Sequence, residues 1–346
     1  MAGKQHVCCN IIFISKLSST LNKSKIYAVE NLRGIAALGV CIFHLTANQH
    51  LLHDDSLLKK IAGLGYLGVP IFFGISGFVI PWSLYKSNYH IKNFFSFLYK
   101  RFLRIEPPYL ISIILLVVLN YASTLLPIYS GLPFQFSITQ FLLHITFLPT
   151  YFNYPWYQPV YFTLLIEFQF YILCGLLFGV LASPKKWTTY SFLLGSLIVV
   201  YLLPVSLFSV FDTFLVGIIY FKYKTGHISI KEYWLMQLSI IIFTLITNPD
   251  KNIFATEILT AIGMMYWNST NNVTAFFAKI SYSLYLIHIP IGGRFINLSE
   301  RYIDTIYLSN LFLVLAIALC IFCAWIFYKL VELPAIKLSR SLVKQF

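Results

Sequence analysis

The sequence predicts an all-α polytopic membrane protein, and three observations predict it. Apolar residues make up 58% of the 346, while charged residues make up only 11%, against roughly a quarter in soluble domains. Mean hydropathy is +0.76. The apolar residues fall in long runs separated by short basic clusters, a pattern that membrane topology produces. The net charge of +13 is explained by those clusters, so no nucleic-acid partner is expected.

Runs of spanning or near-spanning length lie at 32–52, 64–84, 108–128, 160–182, 188–204, 207–221, 233–248, 253–267, 281–298 and 307–328. They predict about ten transmembrane helices, with Pro204 dividing the fifth from the sixth. If ten spans alternate, 20 of the 25 Lys and Arg residues fall on the side of the termini and five on the other. The positive-inside rule then predicts both termini in the cytoplasm. Merging the fifth and sixth spans destroys that asymmetry. The expected organisation is one membrane domain over 28–340 between a cytoplasmic tail at 1–27 and a short tail at 341–346. Membrane lipids are the immediate partners. Residues 6–15, "HVCCNIIFIS", are too short to span and carry no small-residue cleavage pattern. Cys41, Cys174, Cys320 and Cys323 lie in spans and Cys8 and Cys9 in the tail, a distribution unlike a disulfide framework. The Cys320–Cys323 pair lacks the second pair of a metal site, and no metal is expected.

The stretch Tyr129–Pro159 contains no Lys or Arg and many aromatic residues. Its middle, "ITQFLLHITFL", suits a short amphipathic helix lying at the outer interface, either as a lid or as an aromatic belt.

Ionisable side chains inside a bilayer cost about 2.5 to 3.5 kcal/mol on insertion scales, so each needs a partner or a task. Residues 30–45, "ENLRGIAALGVCIFHL", place Arg33 and His44 eleven residues apart. That spacing is three turns plus about 20°, so the two share a face about 16 Å apart along the axis. Arg33 is either a snorkelling anchor or an anion holder; His44 is either a satisfied buried histidine or a proton shuttle. In "YKRFLRIEPPYL", Arg101 and Arg104 form a forked donor surface beside Lys100, on a helix expected to stop at Pro107. Setting topology is the alternative task for that cluster. Glu167, within "YFTLLIEFQFYIL", is protonated, paired with Arg33 or Arg104, or catalytic. His288, with Ser281 and Ser283 upstream, suits hydrogen bonding between helices. Gly74, Ser76 and Gly77 leave room in the second span for a neighbouring helix or a thin ligand.

Six stretches in order resemble acyltransferase family 3, the integral membrane acyltransferases: "LRGIAALGVCIFH", "GVPIFFGISGFVI", "RFLRIEPPYL", "YFTLLIEFQFY", "ISYSLYLIH" and "VELPAIKLSR". The resemblance implies transfer of an acyl group, commonly acetyl from acetyl-CoA as donor substrate, to a hydroxyl of a carbohydrate or lipid-linked glycan. It implies a bacterial inner membrane and envelope-polymer assembly proteins as partners. By motif, Arg33 and His44 match the family's essential pair and Arg101 and Arg104 its RxxR pair, while Glu167, Ser281 and His288 match later motifs. The expected arrangement has acyl-CoA phosphates on Arg33, Arg101 and Arg104 and the thioester at His44, which acts as general base or acyl carrier. Glu167 then orients the imidazole or balances charge, with Ser76, Ser281 and His288 in support. Two departures stand out: Pro70 replaces an acidic residue common before the FF pair, and no esterase-like domain is expected after the last span. A transporter or flippase with Arg, His and Glu along a polar pathway is the rival class.

Overall fold

The computed structural model describes residues 27–47, 56–126, 134–299 and 305–341. The N-terminal tail before Tyr27, with Cys8 and Cys9, and the end of the chain after Ser341 lie outside the described residues, as does the first part of the aromatic stretch. Among the described residues every regular element is helical. They are α1 (Tyr27–Ala47), α2 (Leu57–Lys86), α3 (Ile91–Thr124), α4 (Ile138–Ile145), α5 (Pro159–Leu181), α6 (Lys186–Leu202), α7 (Ser206–Lys224), α8 (Ile230–Thr247), α9 (Ile253–Tyr266), α10 (Asn272–His288), α11 (Arg294–Ser299), α12 (Ile306–Phe327) and α13 (Leu333–Ser341).

Seven of these stretches are long and apolar enough to cross a membrane: α1, α2, α3, α5, α7, α8 and the continuous run Tyr307–Ser341. At the other three expected positions stand α6, α9 and α10, with 17, 14 and 17 residues. Each is short of the roughly 20 residues that a full crossing takes. The expected break at Pro204 is real. α6 ends at Leu202, and a tight turn beginning at Ser206, with φ at +49°, starts α7 on a new axis.

The expectation that the RxxR helix stops at Pro107 is overturned. α3 runs without interruption through Pro107 and Pro108. A proline pair leaves carbonyls one turn back without their usual donors, and in a helical bundle neighbouring side chains replace them. Pro107 and Pro108 withhold donors from the Leu103 and Arg104 carbonyls; beside that step the Tyr282 hydroxyl, on α10, donates to the Ile105 carbonyl at 2.9 Å and ties α3 to α10. Proline is absorbed differently late in the chain. Pro290 lies in a π turn, Ile289–Gly293, that joins α10 to α11, and a second π turn, Tyr328–Glu332, joins α12 to α13 just before Pro334.

α7 sits at the centre, with 72% of its apolar window buried. α2 lies against it where small residues let two backbones meet. A Cβ built on Gly217 would stand 2.0 Å from the Gly74 carbonyl oxygen, and one on Gly77 would stand 2.1 Å from that of Phe214. Phe214 itself stacks on Phe170 at 4.1 Å and on Phe73 at 4.9 Å. Gly217→Ala is therefore expected to destabilise the protein by about 1–3 kcal/mol, because the helices must separate. Gly179→Ala has open space around it and should instead stabilise α5 by up to about 1 kcal/mol. Thermal unfolding of the two variants in detergent checks the opposite signs.

A second cluster joins α1, α3, α10 and α12 through Val40, Tyr109, Leu284 and Cys320. Val69, Phe72 and Ile105 pack against both clusters, and the cavity described below opens along that seam. The amphipathic segment forms α4 as expected, capped by Ser137. Its His144 is wholly buried, donates from Nδ1 to the Gln140 carbonyl and accepts the Tyr157 amide at Nε2. Burial holds that imidazole below the ordinary histidine range, in the neutral form both bonds require. None of residues 134–158 lines the cavity described below.

Candidate active site

Five helices and one helix junction converge on a polar cavity of about 950 Å³, counting its mouth. α1 contributes Arg33; α3 contributes Arg101 and Arg104; α5 contributes Glu167 and Tyr171; α10 contributes Ser281, Tyr282 and Tyr285; and the π turn contributes Glu332. α2 supplies Ser76 with Val69, Phe72 and Phe73. Three guanidinium groups thus face two carboxyl groups across a space built from residues up to 299 positions apart in sequence.

The hydrogen bonds divide this lining into groups that are held and groups that are not. Glu167 Oε1 accepts from the Tyr171 hydroxyl, one turn on, and from the Ser76 hydroxyl at 3.3 Å. Glu332 Oε2 accepts from the Ser283 amide at 3.2 Å and from its hydroxyl at 2.6 Å. The Ser281 hydroxyl donates to its own helix, at the Ala278 carbonyl. The Arg101 guanidinium lies over the Phe97 and Tyr171 rings at 5.5 and 5.7 Å, a cation–π seat that fixes its position and leaves its N–H donors unspent. No ion pair within 4.0 Å joins Arg33, Arg101 or Arg104 to either carboxylate, and neither Arg33 nor Arg104 hydrogen-bonds another described residue. Three always-charged forks with free donors against two already-occupied carboxylates make a surface that attracts an anion.

Two sequence expectations change here. Glu167 is not ion-paired and does not orient His44. It stands on α5 among cavity hydroxyls, while His44 finds its partners elsewhere. His44 Nδ1 lies 2.9 Å from the Val40 carbonyl and 3.3 Å from Nε2 of His288. Neither histidine is among the residues lining the cavity, although Arg33 is. Phe72 and Tyr285 both line the cavity, and their rings meet edge to face at 6.1 Å. The Tyr285 ring also stands 6.1 Å from that of His288, so this lining residue neighbours the histidine pair. The Tyr285 hydroxyl is tied to the Val160 carbonyl at 2.9 Å and to the Thr163 hydroxyl at 2.7 Å.

Sequence reasoning brought Arg33, Arg101, Arg104, Glu167, Ser76 and Ser281 to one chamber and missed Glu332, Tyr171, Tyr282 and Tyr285. Glu332 was detectable. It is an acidic residue next to the apolar run 307–328, inside the quoted "VELPAIKLSR", and the cost of burying a charge applies to it as to Glu167. The tyrosines carry no comparable signal among 24 in the chain.

The fold and the chamber together define an all-helical membrane protein with a basic polar cavity enclosed between its helices. A family model described as an acyltransferase domain, that of acyltransferase family 3, matches residues 26–329. The chain belongs to that family and is a membrane acyltransferase. No curated protein and no solved structure matches it.

Proposed function

We propose that the protein transfers an acyl group, acetyl in the first instance, from acyl-CoA to a hydroxyl of a carbohydrate or lipid-linked glycan of the cell envelope. The observation that carries this reading is the set of three arginines whose donors are unspent, facing a chamber whose lining residue Tyr285 neighbours the His44–His288 pair. Arg33, Arg101 and Arg104 hold the nucleotide phosphates by charge-assisted hydrogen bonds. The pantetheine arm extends from there past Tyr285, the lining residue that neighbours His288. His44 Nε2 takes the proton of the acceptor hydroxyl as its oxygen attacks the thioester carbonyl. The new C–O bond forms, the C–S bond breaks, and the thiolate leaves with the proton that His44 held.

Ten crossings with both termini in the cytoplasm complete the reading, since they put Arg33, Arg101 and Arg104 at the side where acyl-CoA is found. In this arrangement α6, α9 and α10 cross within the bundle, beside longer neighbours that shield their ends. The membrane domain spans 28–340. The inner membrane of a bacterium, with envelope-polymer assembly proteins nearby, is the setting in which such acceptors occur.

The test is to give membrane vesicles holding the protein acetyl-CoA labelled in its acetyl group. Thiol release together with label in the carbohydrate or glycolipid fraction is expected, and vesicles lacking the gene should show neither. Label that crosses the membrane without thiol release would assign the protein to transport instead, and inert acetyl-CoA would remove the reading.

A further inference from the structure

The protonation of the histidine pair follows from its partners. A carbonyl oxygen accepts only from an N–H, so the 2.9 Å contact of His44 Nδ1 with the Val40 carbonyl puts the hydrogen of the neutral ring on Nδ1 and leaves Nε2 bare. The same logic applies to His288. Its Nδ1 lies 3.0 Å from the Leu284 carbonyl, so its Nε2 is bare as well. That bare Nε2 stands 3.3 Å from His44 Nδ1. One N–H on His44 is therefore shared between a carbonyl on its own helix and an imidazole from α10.

We infer that His288 is a positioning residue for His44: it accepts from Nδ1–H, locks the tautomer whose Nε2 is the base, and supports the positive ring formed when Nε2 takes the acceptor's proton. The inference rests on the acyl-transfer reading and adds the residue that prepares its base. His288 suits the task. It is wholly buried and ends α10 at the π turn. Its own Nδ1 is engaged, so it cannot rotate without losing a bond. Its ring lies 5.1 Å from that of His44. Neither carboxylate of the chamber competes for the role, because Glu167 is held by Tyr171 and Ser76 and Glu332 by Ser283. Both Val40 and His288 receive the same hydrogen, so the carbonyl alone keeps the ring roughly oriented. Losing His288 should therefore slow the reaction without abolishing it.

Acetyl-CoA turnover by the full chain in its own membrane vesicles is the measurement, with kcat and KM read separately. His288→Leu removes the acceptor while filling the space, and should lower kcat about 10–100-fold with the KM for acetyl-CoA little changed. His288→Gln places an amide oxygen where Nε2 stood, accepts the same N–H, and should recover most of the loss. If His288→Leu does not fold, His288→Met, similar in size and a poor acceptor, replaces it. A Leu or Met variant that turns over like the wild type overturns the inference. So does a Gln variant as slow as Leu, or a loss that appears in KM and thermal stability alone. Inactive wild type, or full activity in His44→Ala, would instead overturn the acyl-transfer reading beneath it.

Discussion

His44→Ala is expected to lose acyl transfer by about 10²–10⁴-fold, the usual contribution of a positioned general base. The loss should fall on kcat. His44 lies beyond the chamber, and its replacement leaves Arg33, Arg101 and Arg104 untouched, so binding of CoA by the purified protein should survive. Single-turnover kinetics with saturating acetyl-CoA and isothermal titration with CoA separate the two quantities. His44→Gln, which keeps a donor near Val40 but supplies no base, should be about as slow as the alanine variant.

The second large effect is expected at the arginines and should fall on KM. Hydrogen bonds to charged groups contribute about 1.5–3 kcal/mol each, so Arg33→Ala and Arg104→Ala should each raise the KM for acetyl-CoA by roughly 10- to 100-fold while kcat changes far less. The two guanidinium groups have no described partner to leave stranded, which makes these variants cleaner than most buried-charge deletions. Lysine at either position retains the charge but not the fork and should recover only part of the affinity. Arg101→Ala should affect both binding and stability, because that side chain also packs over Phe97 and Tyr171. Titration of CoA into each variant, beside its thermal unfolding curve, checks this. An unchanged KM in Arg33→Ala and Arg104→Ala would remove the phosphate role.

What could be read from the residues alone was whatever depends on transfer from water to an apolar medium. Composition announced the membrane, and the run ending at Pro204 announced a real break. The rarity of buried charge pointed to Arg33 and Glu167, and Gly74 and Gly77 marked the close contact that α2 makes with α7. What escaped depends on neighbours that sequence distance hides. Pro107 read as a helix stop because the packing of α5, α10 and α13 against α3, which holds that helix through the proline pair, was not in view. His44 and His288, 244 positions apart, each looked like a separate buried histidine. For Glu167 the sequence left open a proton, an arginine partner or a catalytic task, because it could not show that the Ser76 and Tyr171 hydroxyls would both donate to its Oε1. Shared helical phase suggested one face for Arg33 and His44, whereas only Arg33 lines the cavity. It could not show that His44 would instead meet His288 from α10.

The π turn at Tyr328–Glu332 sets a constraint on chain length. It fits one more residue into a turn than an α-helix does, so α13 is phased about 100° away from where an unbroken continuation of α12 would put it. Glu332 reaches Ser283 only because of that offset, and Ser339, in α13, donates to the Lys100 carbonyl at 2.9 Å on the strength of it. Removing one residue anywhere from Tyr328 to Val331 would heal the helix and, in doing so, swing the final acidic group out of the chamber and unlatch the last helix from the stem of α3. At this joint a locally smoother backbone is the damaging one, and the number of residues matters as much as their kind.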